Sequence, residues 1–186
     1  MNDQRIIELY WARDSRAIGE TDRKYGPYCL TIAANVLHDR QDSEECVNDT
    51  WHRAWNAMPP QRPNLLRAFL GTITRNLALQ RWQKQTAYKR GGGQTALALE
   101  ELAQCVPDPV TVEKVVEDQE LTAALEAFLD SLPREARAIF LRRYWYLEPV
   151  KTVAKGLGLS ESKVKMSLMR SRQKLKAHLE KEGIDL

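Results

Sequence analysis

Ser160-Glu-Ser-Lys-Val-Lys-Met-Ser-Leu-Met-Arg-Ser-Arg-Gln-Lys-Leu-Lys-Ala-His-Leu-Glu-Lys181 decides how the rest of the chain is read. At about 100° per residue this stretch forms a helix with two distinct faces. Val164, Leu168, Ser171, Leu175 and Leu179 share a narrow, mostly apolar stripe that needs a packing partner. Ser162, Lys165, Met166, Met169, Arg172, Gln173 and Lys176 share another side, mostly cationic or polarizable. Upstream, Gly158 suits a tight turn, and Ser160 suits an N-cap that accepts a bond from a free backbone amide. A short helix, a glycine turn and a basic second helix predict a helix-turn-helix, the motif whose second helix enters the DNA major groove.

A basic helix face is often only a solvated one, so the balance of charge decides between the two readings. From Arg142 to Lys181 there are eleven Lys and Arg against three acids, Glu148, Glu161 and Glu180. Solvated helices interleave the two signs to gain i,i+4 pairs, and this one does not. Nucleic-acid binding is therefore the expectation. The formal net charge of the 186 residues is only +3, because the charge is segregated along the chain. Six basic residues and no acid lie between Arg67 and Arg90, whereas nine acids and one lysine lie between Glu100 and Asp130.

Helical periodicity also organises the first half. Residues 5–18 predict a short helix, and a second carries Tyr25, Tyr28, Cys29, Ile32, Ala33 and Val36 inward. After a polar break, Ser43 is expected to cap a third, which buries Cys46, Val47, Thr50, Trp51, Ala54, Trp55 and Met58. Pro59, Pro60 and Pro63 stop it. A fourth runs from 65 to about 88, burying Leu66, Phe69, Leu70, Ile73 and Leu77 and showing Arg75, Asn76, Gln80, Arg81 and Lys84. Gly91, Gly92 and Gly93 break the pattern, and regular structure restarts near Leu121. No alternating strand pattern occurs. The expected fold is all-α, with two small helical domains (residues 1–90 and 119–186) joined by a flexible linker (91–118), the second domain being the helix-turn-helix.

Three scattered cysteines without a C-x-x-C pair, and three histidines, predict neither a metal site nor a cofactor. The amino-terminal residues lack an apolar signal region, and no apolar run reaches the length of a membrane span, so a cytoplasmic protein without membrane insertion is expected. No grouped carboxylates or nucleophile–base pair suggest an enzyme. A stand-alone repressor or activator explains the second half equally well. It gives no reason for a basic helix with Arg75-Asn76 beside an acidic helix face at Glu44, Glu45, Asn48 and Asp49. That acidic face is by itself either a solvated surface or a binding one.

Four stretches in order carry a resemblance. They are Asp42-Ser-Glu-Glu-Cys-Val-Asn-Asp-Thr-Trp-His-Arg-Ala-Trp55, Phe69-Leu-Gly-Thr-Ile-Thr-Arg-Asn-Leu-Ala-Leu79, Leu132-Pro-Arg-Glu-Ala-Arg-Ala-Ile-Phe140 and Val164-Lys-Met-Ser-Leu-Met-Arg-Ser-Arg172. The chain resembles bacterial RNA polymerase sigma factors of the extracytoplasmic-function (ECF) class over about residues 5–90 and 119–181. The resemblance implies a transcription initiation factor that binds core RNA polymerase, recognises promoter DNA and helps to open it. It implies that Glu45, Asn48 and Asp49 contact the clamp coiled coil of the polymerase largest subunit. Glu45 and Asn48 depart from the commoner Asp and Gln of the pattern but keep charge and hydrogen-bonding type. It implies that the loop at 59–64 lines the pocket for a flipped base of the minus-10 element.

Beside that loop, Arg75, Arg81 and Lys84 supply cations for phosphates, and Asn76 offers a paired donor and acceptor for a base edge. Trp82 suits stacking and packing equally. In the second domain the resemblance implies that Lys165, Met166 and Met169 read the minus-35 element. Lys matches guanine acceptors and Met matches a thymine methyl. Arg142, Arg143, Lys163, Arg170, Arg172 and Lys174 are the expected phosphate contacts, which set register without reading sequence. Neutralising about five phosphates predicts a log–log salt slope near −4.5. The linker, extended, would reach about 90 Å, and its acids from Glu113 to Glu126 are expected to shield the basic region in the free protein. No sensor segment is evident, so control by a separate protein, such as an anti-sigma factor, is expected.

Overall fold

In the computed structural model the described residues are 1–86, 93–105 and 119–184. All regular structure among them is helical. The chain divides into two compact units, Met1–Arg90 and Gly91–Leu186.

The first unit is built from α1 (Asp3–Trp11), α2 (Arg16–Leu37), α3 (Arg40–Ala57) and α4 (Leu66–Thr86). The single helix expected over residues 5–18 is two. Arg13 adopts a left-handed backbone (φ 54°), and the Asp14 carboxylate accepts from the Arg16 amide at 3.0 Å to start α2. Ala17 is accordingly buried on α2 rather than α1. The capping of α3 also differs from expectation. His38 is left-handed (φ 56°), and the Asp39 side chain accepts from the Asp42 amide at 2.8 Å, so Asp39 is the cap. Ser43 lies inside α3 and is buried. Both differences have one cause, a short acidic side chain next to a left-handed residue, which offers the backbone a local turn.

Ile6, Tyr10, Cys29, Val47, Trp51, Met58, Leu66 and Leu70 form the core of this unit. Polar groups caught inside it are paired, as desolvation requires. Thr50 donates to Thr74 at 3.2 Å between α3 and α4, and the Tyr10 and Thr21 hydroxyls meet at 3.0 Å. At Gly71 the close approach of α2 leaves no room for a side chain, because an added Cβ would lie 2.5 Å from the Tyr28 hydroxyl.

The second unit holds α5 (Gln94–Ala103), α6 (Gln119–Ser131), α7 (Arg134–Phe140), α8 (Val150–Leu157) and α9 (Glu161–Lys181). The span 91–118 expected as linker thus contains a helix. Thr95, Ala98 and Leu99 of α5 are buried, and Cys105 just beyond it is buried too. The remaining residues of that span, 91–92 and 106–118, lie outside the described residues, as do most of the acids expected to shield the basic region.

After α7 the chain widens into a π-helical turn, Leu141–Trp145, with the Tyr146 amide bonded to the Leu141 carbonyl at 3.0 Å. Gly158 is left-handed (φ 66°) and closes α8, and the Ser160 side chain accepts from the Lys163 amide at 3.2 Å to open α9. The expected stripe of Val164, Leu168, Ser171, Leu175 and Leu179 is buried throughout. It packs with Phe128, Ile139, Phe140, Leu147 and Val153, all buried. No helix among the described residues is long and apolar enough to cross a membrane.

Candidate nucleic-acid interface

Burying that stripe turns the opposite side of α9 outward. Lys165, Met166, Met169, Arg170 and Lys174 are all exposed. Met166 and Met169 keep 45% and 40% of their surface in water, which is unusual for side chains of this type. An apolar tip held out among cations is a surface suited to a groove that mixes methyl groups with acceptors. Lys163 is also exposed, but its ammonium lies 2.9 Å from Glu135 of α7.

The other expected phosphate contacts of this unit are occupied within it. Arg142 pairs with Glu148 at 2.7 Å, and Gly156 of α8 packs directly against its guanidinium. Arg143 is fully buried. Its Nε and Nη2 donate to the Glu101 carboxylate of α5 at 3.2 and 3.1 Å, and its Nη1 donates to the Glu148 carbonyl at 3.2 Å. Arg143 is therefore an internal counterion, not a surface contact. The wider turn at 141–145 is what carries both Arg143 and Tyr144 inward.

Arg172 reaches the same carboxylate from α9. Its Nη1 donates to the Tyr144 hydroxyl at 2.6 Å and lies 3.6 Å from Glu101. The Tyr144 hydroxyl donates to Glu101 at 3.0 Å, and burial holds its pKa well above the usual phenol range. Glu101 is thus a hub that the sequence reading missed. The signal was present, as an acid one helical turn from Leu97 and Ala98 in a weakly helical segment, but its partners are 42 and 43 residues away.

In the first unit, Glu45, Asn48 and Asp49 lie exposed on α3. Arg81 of α4 reaches across to them, 3.0 Å from Glu45 and 2.8 Å from Asp49. That hydrogen bond and the charge behind it hold the Glu45 carboxyl below its ordinary value. Gln85 donates to Asp42 at 2.8 Å one turn along. The acidic face and the basic helix, expected to serve two different partners, are therefore joined through Arg81.

Lys84 is exposed and Asn76 half-buried, but Arg75 is only 4% exposed. Burial pushes the Arg75 pKa down to about 10. It is a structural cation in this fold and does not share the surface of Lys84. Its placement could have been read from the column Gly71, Arg75, Ala78 and Leu79, all buried, which continues the packed side of α4.

Residues 22–88 match the family model described as Sigma-70 region 2, and residues 122–175 match that described as Sigma-70, region 4. The chain is 31% identical over 150 residues to the probable RNA polymerase sigma factor RfaY of Xanthomonas campestris pv. campestris, covering 80% of this chain and 36% of that protein. It is 28% identical over 166 residues to the ECF RNA polymerase sigma factor SigE of Mycolicibacterium smegmatis, covering 88% of this chain and 62% of that one. The chain spans less than two thirds of the length of either relative. With the two sigma-70 regions falling in order on the two helical units, the chain belongs to the RNA polymerase sigma factors of the ECF class.

Proposed function

We propose that this chain is a transcription initiation factor that binds core RNA polymerase, directs it to specific promoters and assists DNA melting, acting in the cytoplasm and without catalytic chemistry of its own. The observation that carries the reading is the outward face of α9, where Lys165, Met166 and Met169 are exposed while the whole apolar stripe is buried. In this reading Lys165, Met166 and Met169 contact base edges of the minus-35 element. Lys163, Arg170 and Lys174 hold phosphates, joined by Arg172 when its internal partners release it.

The first unit then takes the other two tasks. Glu45, Asn48 and Asp49 bind the polymerase. Asn76, Arg81 and Lys84, with the loop at 59–64, hold a flipped base and the backbone of the opened minus-10 strand. Arg75 supports α4 from inside and is left out of that surface. A separate anti-sigma factor would hold the protein inactive by covering one of these faces.

The test adds the purified protein to polymerase lacking sigma and scores promoter-specific initiation on genomic fragments. Initiation at discrete sites, lost in Glu45→Lys or Asp49→Lys proteins that remain folded, is the expected result. Tight duplex binding by the protein alone, with no initiation, would favour a stand-alone repressor instead.

A further inference from the structure

The reading face of α9 is not entirely open. Gln104 and Cys105, at the end of α5, form one wall of a cleft of about 230 Å³ whose other wall is Met169, Arg172, Gln173 and Lys176 of α9. Those four residues belong to the side of the helix turned away from the core stripe. One turn earlier, Glu101 takes Arg172 and the Tyr144 hydroxyl, so a carboxylate sits where a cation of the reading helix would otherwise meet a phosphate.

A second observation is one of length. With α5 docked on the second unit, only residues 87–93 connect it to α4. Fully extended they reach about 25 Å, or about seven base pairs at ~3.4 Å each. Residues 87–118, with α5 drawn out, would reach about 100 Å.

We propose that α5 is an intramolecular cap, in which Glu101 stands in for a DNA phosphate by holding Arg172 and the Gln104–Cys105 end flanks the carboxy-terminal half of the reading face until the helix undocks. The occupant that replaces it is duplex DNA. The proposal rests on α9 being the DNA reader. Undocking releases Arg172 toward DNA and hydrates Arg143, which offsets the cost of separating a buried guanidinium from its carboxylate. It also lengthens the tether between the two units. Docking therefore opposes DNA binding twice, by withholding Arg172 and flanking the face, and by shortening the reach.

The test fixes the cap in place. Gln104 and Gln173 are exposed and line the same cleft. A Gln104→Cys, Gln173→Cys protein is treated either with a short bismaleimide or with a monofunctional maleimide. Cys105, which undocking would expose, is replaced by Ser in the same protein. Cys29 and Cys46 are buried in the first unit, and burial pushes their pKa values up to about 11 and 12. Binding is measured to a short mixed-sequence duplex at low salt, without polymerase.

The bridged protein is expected to bind at least about tenfold more weakly than the monofunctionally labelled one, a difference of about 1.4 kcal/mol. In a second variant, Ala98→Asp, an acid is forced into a fully buried position of α5. It is expected to bind more tightly than the unmodified protein, with a salt slope steeper by about one unit as Arg172 joins the contacts. Equal binding by the bridged and monofunctional proteins would overturn the cap while leaving the DNA reading intact. Absence of duplex binding in every form, together with no polymerase-dependent initiation, would sink both.

Discussion

Arg75 and Arg81 lie six positions apart on one helix and have opposite fates. Arg75 is sealed between helices, whereas Arg81 spans the surface to two carboxylates. Residue type alone marks both as phosphate contacts, and only the packed column through Gly71 and Ala78 separates them. Replacing Arg75 by Ala should therefore lower the stability of the first unit, by about 1–3 kcal/mol, because groups that meet a buried guanidinium are left unsatisfied. Urea unfolding measures this, and Lys84→Ala serves as the exposed comparison with an unchanged midpoint. Arg81 should behave differently with pH. Its hydrogen bond lowers the Glu45 pKa in the folded state below 4.5. The contribution of the pair is then fully present above that ordinary value and lost as pH falls through the lowered one. An Arg81→Ala protein should be slightly less stable than the unmodified one at about pH 7, and the gap should close as the pH falls through the lowered Glu45 value. A gap that persists in acid would show that Arg81 stabilises by packing instead.

At the scale of elements, what could be read from the chain depended on how local the cause was. The bounds of α9, its Ser160 cap and its buried stripe are all set within 22 residues, and the structure agrees with each. Most of the buried sides of α2 and α3 follow too, with Tyr28 and Trp55 left half-buried at their edges. The breaks at Arg13 and His38 were less legible because they depend on left-handed backbone at residues that are not glycine. Least legible was α5, whose stability as a docked helix comes from partners about 40 residues away. Two predictions belong here. Gly158→Ala places a Cβ on a left-handed turn between the two helices of the reading motif, and should cost about 1–2 kcal/mol of the second unit's stability with Lys165 chemistry unchanged. Gly71→Ala drives a Cβ into the Tyr28 ring, so α2 and α4 must part, at about 1–3 kcal/mol. Thermal melting of the two proteins checks both, and a melting curve like that of the unmodified chain would show that the helices tolerate the insertion by sliding.

For the whole molecule, internal pairing changes how strongly salt should act. About five neutralised phosphates predicted a slope near −4.5, but of the six candidate cations Arg142, Arg143 and Arg172 are committed to Glu148 and Glu101. Lys163, Arg170 and Lys174 remain, so the isolated protein should bind duplex DNA with a slope near −2.7. Reach adds a constraint that face-covering alone does not. A docked α5 leaves a tether of roughly 25 Å between α4 and the second unit, against about 100 Å with α5 drawn out, which limits how far apart the two units can bind. The two effects can be separated with the bismaleimide-bridged protein. Inserting about twelve Gly and Ser residues beside Gly92 restores about 40 Å of tether without touching the cleft at Gln104 and Met169. If short reach is the main obstacle, polymerase-dependent initiation should recover in the lengthened, bridged protein although duplex binding without polymerase stays weak. If the covered face dominates, initiation should remain lost at every tether length. The hold on Arg172 favours the second outcome, because the bridge keeps that phosphate contact on Glu101 and the Gln104 end beside Met169.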